Sequence, residues 1–135
     1  MKHAALAALV LLAACATAEG GGNGSATPLG DLTGSEWTLL NETRSATPPT
    51  IAFAADRASG FAGCNRWFAS VSRTDQALDF DAIGTTRMMC PPPAMEAERA
   101  FTSALENTHH FRVENGELVL ADSGGADVAR FRRTN

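Results

Sequence analysis

Lysine is almost missing. Lys2 is the single lysine, and the rest of the 11 basic residues are arginines, against 15 acidic ones. The formal net charge is −4 and becomes more negative if a leader carrying Lys2 is removed. The one local basic group, Arg130, Arg132 and Arg133, reads as the solvent face of a last strand. Phosphate affinity comes largely from Lys and Arg, so a nucleic-acid partner is not expected. Also lacking are a glycine-rich phosphate loop opening a helix, a G-x-S-x-G turn and any internal repeat. No C-x-x-C or H-x-x-x-H pair sets two metal ligands on one element, so neither a metal nor a cofactor is expected. Long apolar runs are missing too: residues 4–14 are about half the roughly 20 residues that a spanning helix requires.

What is present begins with Lys2, that short apolar run, and Leu12-Ala13-Ala14-Cys15. A positive start, an apolar stretch and small residues before a cysteine make a secretory signal. The ending resembles the lipobox of bacterial lipoproteins, which are cut before the cysteine and acylated on its sulfur. An ordinary signal peptide cut near Ala14 or Ala18 is the alternative. The lipobox reading gives a leader over 1–14, a lipidated Cys15 and a membrane partner through that lipid. Ala16 rather than aspartate after Cys15 favours the outer membrane under enterobacterial sorting, with the protein facing the periplasm. Residues 15–30 are glycine-rich, small and nearly uncharged, which predicts a flexible tether reaching roughly 20 Å. Residues 31–135 leave room for one domain with a modest core.

Within that domain, residues 36–41 alternate weakly, with Trp37 and Leu39 on one face. Residues 50–55 put Ile51 and Phe53 together after the Pro48-Pro49 break. Residues 56–60 carry turn chemistry. Residues 61–72 are apolar on both faces, with Gly60 and Gly63 marking bulges or close backbone approach. Residues 77–83 set Leu78, Phe80 and Ala82 against Asp79 and Asp81. Leu118 and Leu120 share one face of a strand around 117–122, and Ala129 and Phe131 oppose Arg130 and Arg132 over 128–134. Between these runs lies a helix: Pro91-Pro92-Pro93 lead into its first turn, and Glu96 and Glu98 sit where its dipole favours acids. Its apolar stripe is Ala94, Ala97, Phe101, Ala104 and Leu105, with Asn107 as the stop. Strands, one helix, then strands predict an α+β fold: a small curved antiparallel sheet or incomplete β-barrel with one packed α-helix.

Gly34-Ser35-Glu36-Trp37-Thr38-Leu39, Gly60-Phe61-Ala62-Gly63-Cys64-Asn65-Arg66-Trp67-Phe68, Thr85-Thr86-Arg87-Met88-Met89-Cys90-Pro91, Met95-Glu96-Ala97-Glu98 and Leu118-Val119-Leu120 are similar, in order, to the motifs of the META domain family (HslJ-like bacterial lipoproteins). The residues that carry this resemblance are Trp37, Gly60, Gly63, Cys64, Asn65, Thr86, Cys90, Pro91 and Glu98. It implies a small α+β, barrel-like domain of poorly defined biochemistry, with some members linked to stress or antibiotic tolerance. It brings no catalytic residue onto this chain. The function it implies with the anchor is envelope maintenance or stress tolerance, exerted non-enzymatically on an envelope protein or a small apolar ligand.

Several constellations stay open at this stage. Cys64 and Cys90 are the thiols left once Cys15 is acylated, and two thiols in an exported compartment usually pair. The alternatives are two buried free thiols, or a Cys64 nucleophile with His109 or His110 as base. Asn65 is read as bonding nearby backbone at a bulge, with ligand binding as the rival role. Asp79 and Asp81 are read as pointing to water. Trp37, Trp67, Phe68 and Phe101 are read as core, with a ligand cleft as the alternative.

Overall fold

The computed structural model describes residues 32–135; the expected leader, Cys15 and the tether lie outside the described residues. The elements run β1 (Glu36–Leu39), β2 (Thr50–Phe53), β3 (Arg57–Phe61), β4 (Arg66–Thr74), β5 (Ala77–Thr85), α1 (Pro92–Glu106), β6 (His110–Glu114), β7 (Glu117–Ala121) and β8 (Asp127–Arg133). Every strand pairs antiparallel with its neighbour in sequence, and β8 returns to β1, so an α+β domain closes its sheet into a ring. The ring is uneven. β5 and β6 share a single register pair, Ala77↔His110, supported by Leu78 N donating to His109 O and Phe111 N to Gln76 O, both at 3.0 Å. At this weak seam the chain leaves the sheet to form α1.

Strand alternation decides what lies inside. Trp37, Ile51, Phe53, Trp67, Leu78, Phe80, Leu118, Leu120 and Phe131 form the buried cluster, which Phe101 and Leu105 of α1 complete. In an eight-stranded ring β4 and β8 are opposite each other. Phe101 meets both Trp67 of β4 and Phe131 of β8, with ring centroids 5.5 and 6.3 Å away. The helix therefore inserts a ring near the barrel axis, and the interior is filled by side chains, as small barrels require. Arg133, on the inward parity at the end of β8, places its guanidinium 5.6 Å from the centroid of its cross-strand partner Trp37.

Five readings of the sequence change. The turn expected over 56–60 is strand: Arg57–Phe61 is β3, and the chain reverses at residues 54–56, where Ala54 N donates to Arg57 O. The run 61–72 is correspondingly not one strand but the end of β3, a turn at 62–65 and most of β4. Ala82 is exposed, because the β4–β5 register slips between Phe68↔Gly84 and Ser70↔Asp81. This bulge, with Ala82 at φ 51°, turns Ile83 toward the core instead. Glu96 and Glu98 lie beyond the first turn of α1, whose first two positions are Pro92 and Pro93, so they do not serve the dipole. Phe68 is not core; its ring lies on the outer face over Gly84. Of the helix stripe, Ala97, Phe101 and Leu105 are buried, while Ala94 and Ala104 remain partly exposed.

The outer face of β6–β8 carries a charge lattice. Val119 stands between Arg112 and Arg130 across the sheet and is fully covered although it faces outward, as expected when arginine stems lie over an apolar neighbour. Arg112 donates to Glu114 and Asp127, and Arg130 to Glu114, Glu117 and Asp127. Hydrogen bonds from Arg112 first, and then from Arg130, hold both the Glu114 and Asp127 carboxyls below their usual range. Acids with a native pKa below the unfolded one stabilise the fold above the ordinary carboxylate pKa of about 4, and that contribution fades as pH falls through the native value. Thermal melts from neutral to acid pH should therefore show stability falling below about pH 4, with a shallower fall in Glu114→Gln and in high salt. An identical acid profile for Glu114→Gln would contradict the lattice.

Candidate functional site

The turn at 62–65 gathers the residues singled out in the sequence. Gly63 adopts φ 112°, and a Cβ there would lie 3.1 Å from the Ala97 Cβ and 3.3 Å from Glu98 N, so the turn rests directly on α1. Asn65 is 3 % exposed. Its Oδ1 accepts from Met88 N at 2.5 Å and Thr86 Oγ1 at 3.1 Å. Its Nδ2 donates to Met88 O at 3.3 Å and Glu98 Oε1 at 3.2 Å, and its backbone N donates to Glu98 Oε2 at 2.7 Å. Cys64 and Cys90 are joined as a disulfide, Cα to Cα 5.9 Å. Pro91 is the N-cap of α1. Ser45 Oγ, donating to Gly63 O at 2.8 Å, ties in the β1–β2 loop.

This is a clasp of turn, post-β5 segment and helix. An amide can accept twice and donate twice, and all of that capacity is used within the chain. Asn65 thus has no free group for a ligand. Trp37 and Gly60 lie elsewhere in the ring: Trp37 Nε1 donates to Ser35 Oγ at 2.7 Å. Gly60 lets Thr50 of β2 approach so closely that any Cβ would collide with the Thr50 carbonyl.

The histidines are not near the sulfurs. Cys90 precedes α1 and His109 follows it, and a helix of this length separates its ends by roughly 22 Å. His109 Nδ1 bonds Asp79 Oδ1 at 2.7 Å across the β5–β6 seam, with both side chains nearly half exposed. Asp81 accepts from Ser72 Oγ at 3.0 Å on the exposed face. Among the described residues no three His, Cys, Asp or Glu side chains converge.

A second feature was not read from the sequence. A groove of about 340 Å³ runs between α1, β8, β1 and the loop after β1. It exists because Ala100 and Ala104, one helical turn apart, present short side chains toward Leu39, Val128 and Ala129. Asn41 at φ 62° turns the chain out of β1 to form the rim. There Glu42, whose side chain is 1 % exposed, is held by Arg44 through N at 2.6 Å, Nε at 3.0 Å and Nη2 at 2.7 Å. Those bonds lower the Glu42 carboxyl pKa even though burial opposes ionisation. Arg130 and Asp127 form the other rim. The two alanines at i, i+4 were the available signal, but Ala104 also fits a core stripe.

The sequence profile of the META domain matches residues 30–135. No curated protein matches the chain. An NMR structure of a protein from Burkholderia xenovorans is 23% identical with a TM-score of 0.67, covering 100% of this chain and 99% of that one. A second NMR structure is 22% identical, TM-score 0.59, over 76% of this chain and 92% of the other. A crystal structure of a duf4847 family protein from Bacteroides vulgatus ATCC 8482 is 14% identical, TM-score 0.57, over 77% and 95%. At these identities the likeness shows the fold alone.

Proposed function

This chain belongs to the META domain family, and from that premise we propose that it acts by contact: an envelope domain, anchored through acylated Cys15, that offers the α1–β8 groove to a small amphipathic molecule. The META domain is not a known enzyme family. Supporting a non-enzymatic role, the polar motif groups are consumed by the clasp, and the histidines stand a helix length from the sulfurs. The observation that carries the reading is the groove, an apolar floor under a charged rim beside the barrel, with a volume at the low end of the range for ligand sites. Because aromatic rings occupy the interior, a ligand belongs in this groove and not inside the sheet. Stress tolerance or envelope maintenance is the role that fits such a module at a membrane.

Ala104→Trp should fill the groove from a partly exposed position and shift stability by no more than about 1 kcal/mol. Native mass spectrometry of the full chain should show a bound apolar species, or uptake of a hydrophobic dye, in wild type and about tenfold less in the variant. No bound species and no dye uptake in wild type would contradict the groove reading. For the anchor, Cys15→Ser should abolish acylation and leave a soluble or uncleaved product; unchanged membrane fractionation together with retained acylation would refute it.

A further inference from the structure

The exposed large apolar residues among those described are Phe68, Met88 and Met89, at 55, 60 and 92 %. They follow one another along one end of the β4–β5 pair. Phe68 is opposite Gly84 and lies over it, where a Cβ would come within 2.5 Å of its Cζ. One step nearer the turn, Thr86 N donates to Arg66 O at 3.0 Å. Beyond that, Asn65 grips the Met88 backbone through both N and O, and Cys90 is fixed by its disulfide. The segment is held at both ends, so the two thioethers cannot fold back into the core.

Arg66 and Arg87 are both exposed; Arg66 shares the outward parity of β4 with Phe68, and Arg87 adjoins Met88 in the chain. Neither makes an ion pair among the described residues, a property they share with exposed Arg57, Arg99 and Arg132 but not with Arg44, Arg112 and Arg130. On a chain of net charge −4 two exposed cations thus stand next to the apolar side chains, with the Glu98 carboxylate turned to Asn65. Lys or Arg beside apolar side chains is the composition of a surface lying in a membrane interface, where cations meet anionic headgroups and apolar groups enter the acyl boundary. A protein partner fits less well: three apolar side chains are far short of the roughly 800 Å² per partner of a specific interface, whereas insertion into lipid requires no complementary pocket.

We propose that the face formed by Arg66, Phe68, Arg87, Met88 and Met89 rests on an anionic lipid surface. Its intrinsic affinity is low, and a tether to the same membrane raises the effective concentration enough to keep it docked. Docking this end leaves the domain in one orientation on the membrane. The inference goes beyond the groove reading, and the face's own affinity for lipid is testable without acylation of Cys15.

The test is co-sedimentation of the full chain carrying Cys15→Ser with vesicles of phosphatidylglycerol in phosphatidylcholine, compared with phosphatidylcholine alone. The bound fraction should be higher on the anionic vesicles and fall in high salt. It should drop about tenfold in Arg66→Gln/Arg87→Gln and in Met88→Ser/Met89→Ser, with unfolding midpoints unchanged because these side chains are exposed. Equal binding to both vesicle types, or full binding by either double variant, would overturn the proposal. So would no vesicle binding with capture of an envelope protein instead.

Discussion

Trp67→Ala is expected to cost about 3–5 kcal/mol of unfolding free energy in urea titrations. Trp67 is 1 % exposed and touches Phe80 and Phe101 edge-on, at 6.0 and 5.5 Å between centroids. It thereby links the sheet to the helix ring on the barrel axis. Its Nε1 also donates to Thr50 O at 2.9 Å, spanning β3 at Gly60. Truncation opens a cavity beneath Phe101 and leaves a carbonyl without that donor, so two costs add. A loss under about 1 kcal/mol would mean that Phe101 collapses into the space and that the helix is not fixed through this ring.

Replacing Cys64 and Cys90 together by alanine is the second large effect. A bridge across a sequence separation of 26 removes loop-closure entropy from the unfolded chain worth about 3.5 kcal/mol. For a domain of this size that corresponds to a fall in Tm of roughly 15–25 °C. The loop it closes contains β4, β5 and the post-β5 segment, so the reduced chain must hold the start of α1 against the turn through the Asn65–Glu98 bonds and the Gly63–Ala97 contact. Melting of the double variant under non-reducing conditions should show the drop, and wild type with reductant should match it. Unchanged midpoints in both would show that the bridge contributes nothing to this fold.

The sequence revealed fold class more readily than strand boundaries. Proline at the helix entry, the Phe101–Leu105 stripe and the Leu118/Leu120 alternation are local patterns, and the structure follows them. β3 was hidden because Asp56-Arg57-Ala58-Ser59-Gly60 has the composition of a turn. There the glycine serves close approach to Thr50, a tertiary demand that composition does not express. β6 was hidden behind the two histidines. Its signal was Asn115-Gly116, which closes the β6–β7 hairpin with both residues at positive φ, the pattern of a tight two-residue turn. The bulge at Ala82 reversed an otherwise regular alternation, so Ile83 rather than Ala82 meets the core. Phe68 reads as core from its aromatic character, although strand alternation sets it on the face opposite Trp67, and its ring lies outside over Gly84.

At the site, the resemblance to the META motifs singled out Asn65, Thr86, Cys90 and Glu98 among the motif residues, but what they do together was legible only from their bonds. Glu98 reads as a helix-start acid in one dimension and as the acceptor for Asn65 in three. The groove was not legible at all, since it arises from what Ala100 and Ala104 fail to fill between elements far apart in the chain.

Whether the clasp builds the fold or performs chemistry can be decided by the unfolding free energy of Asn65→Ala. Removing this amide leaves Met88 N and O and the Glu98 carboxylate short of partners in a nearly closed site, a loss of about 2–4 kcal/mol if the residue is structural. Residues retained for activity tend to leave stability unchanged or improved when they are replaced. A marked fall is the expected result. A neutral or stabilising substitution would contradict the account and make the turn at 62–65 the place to look for a reaction.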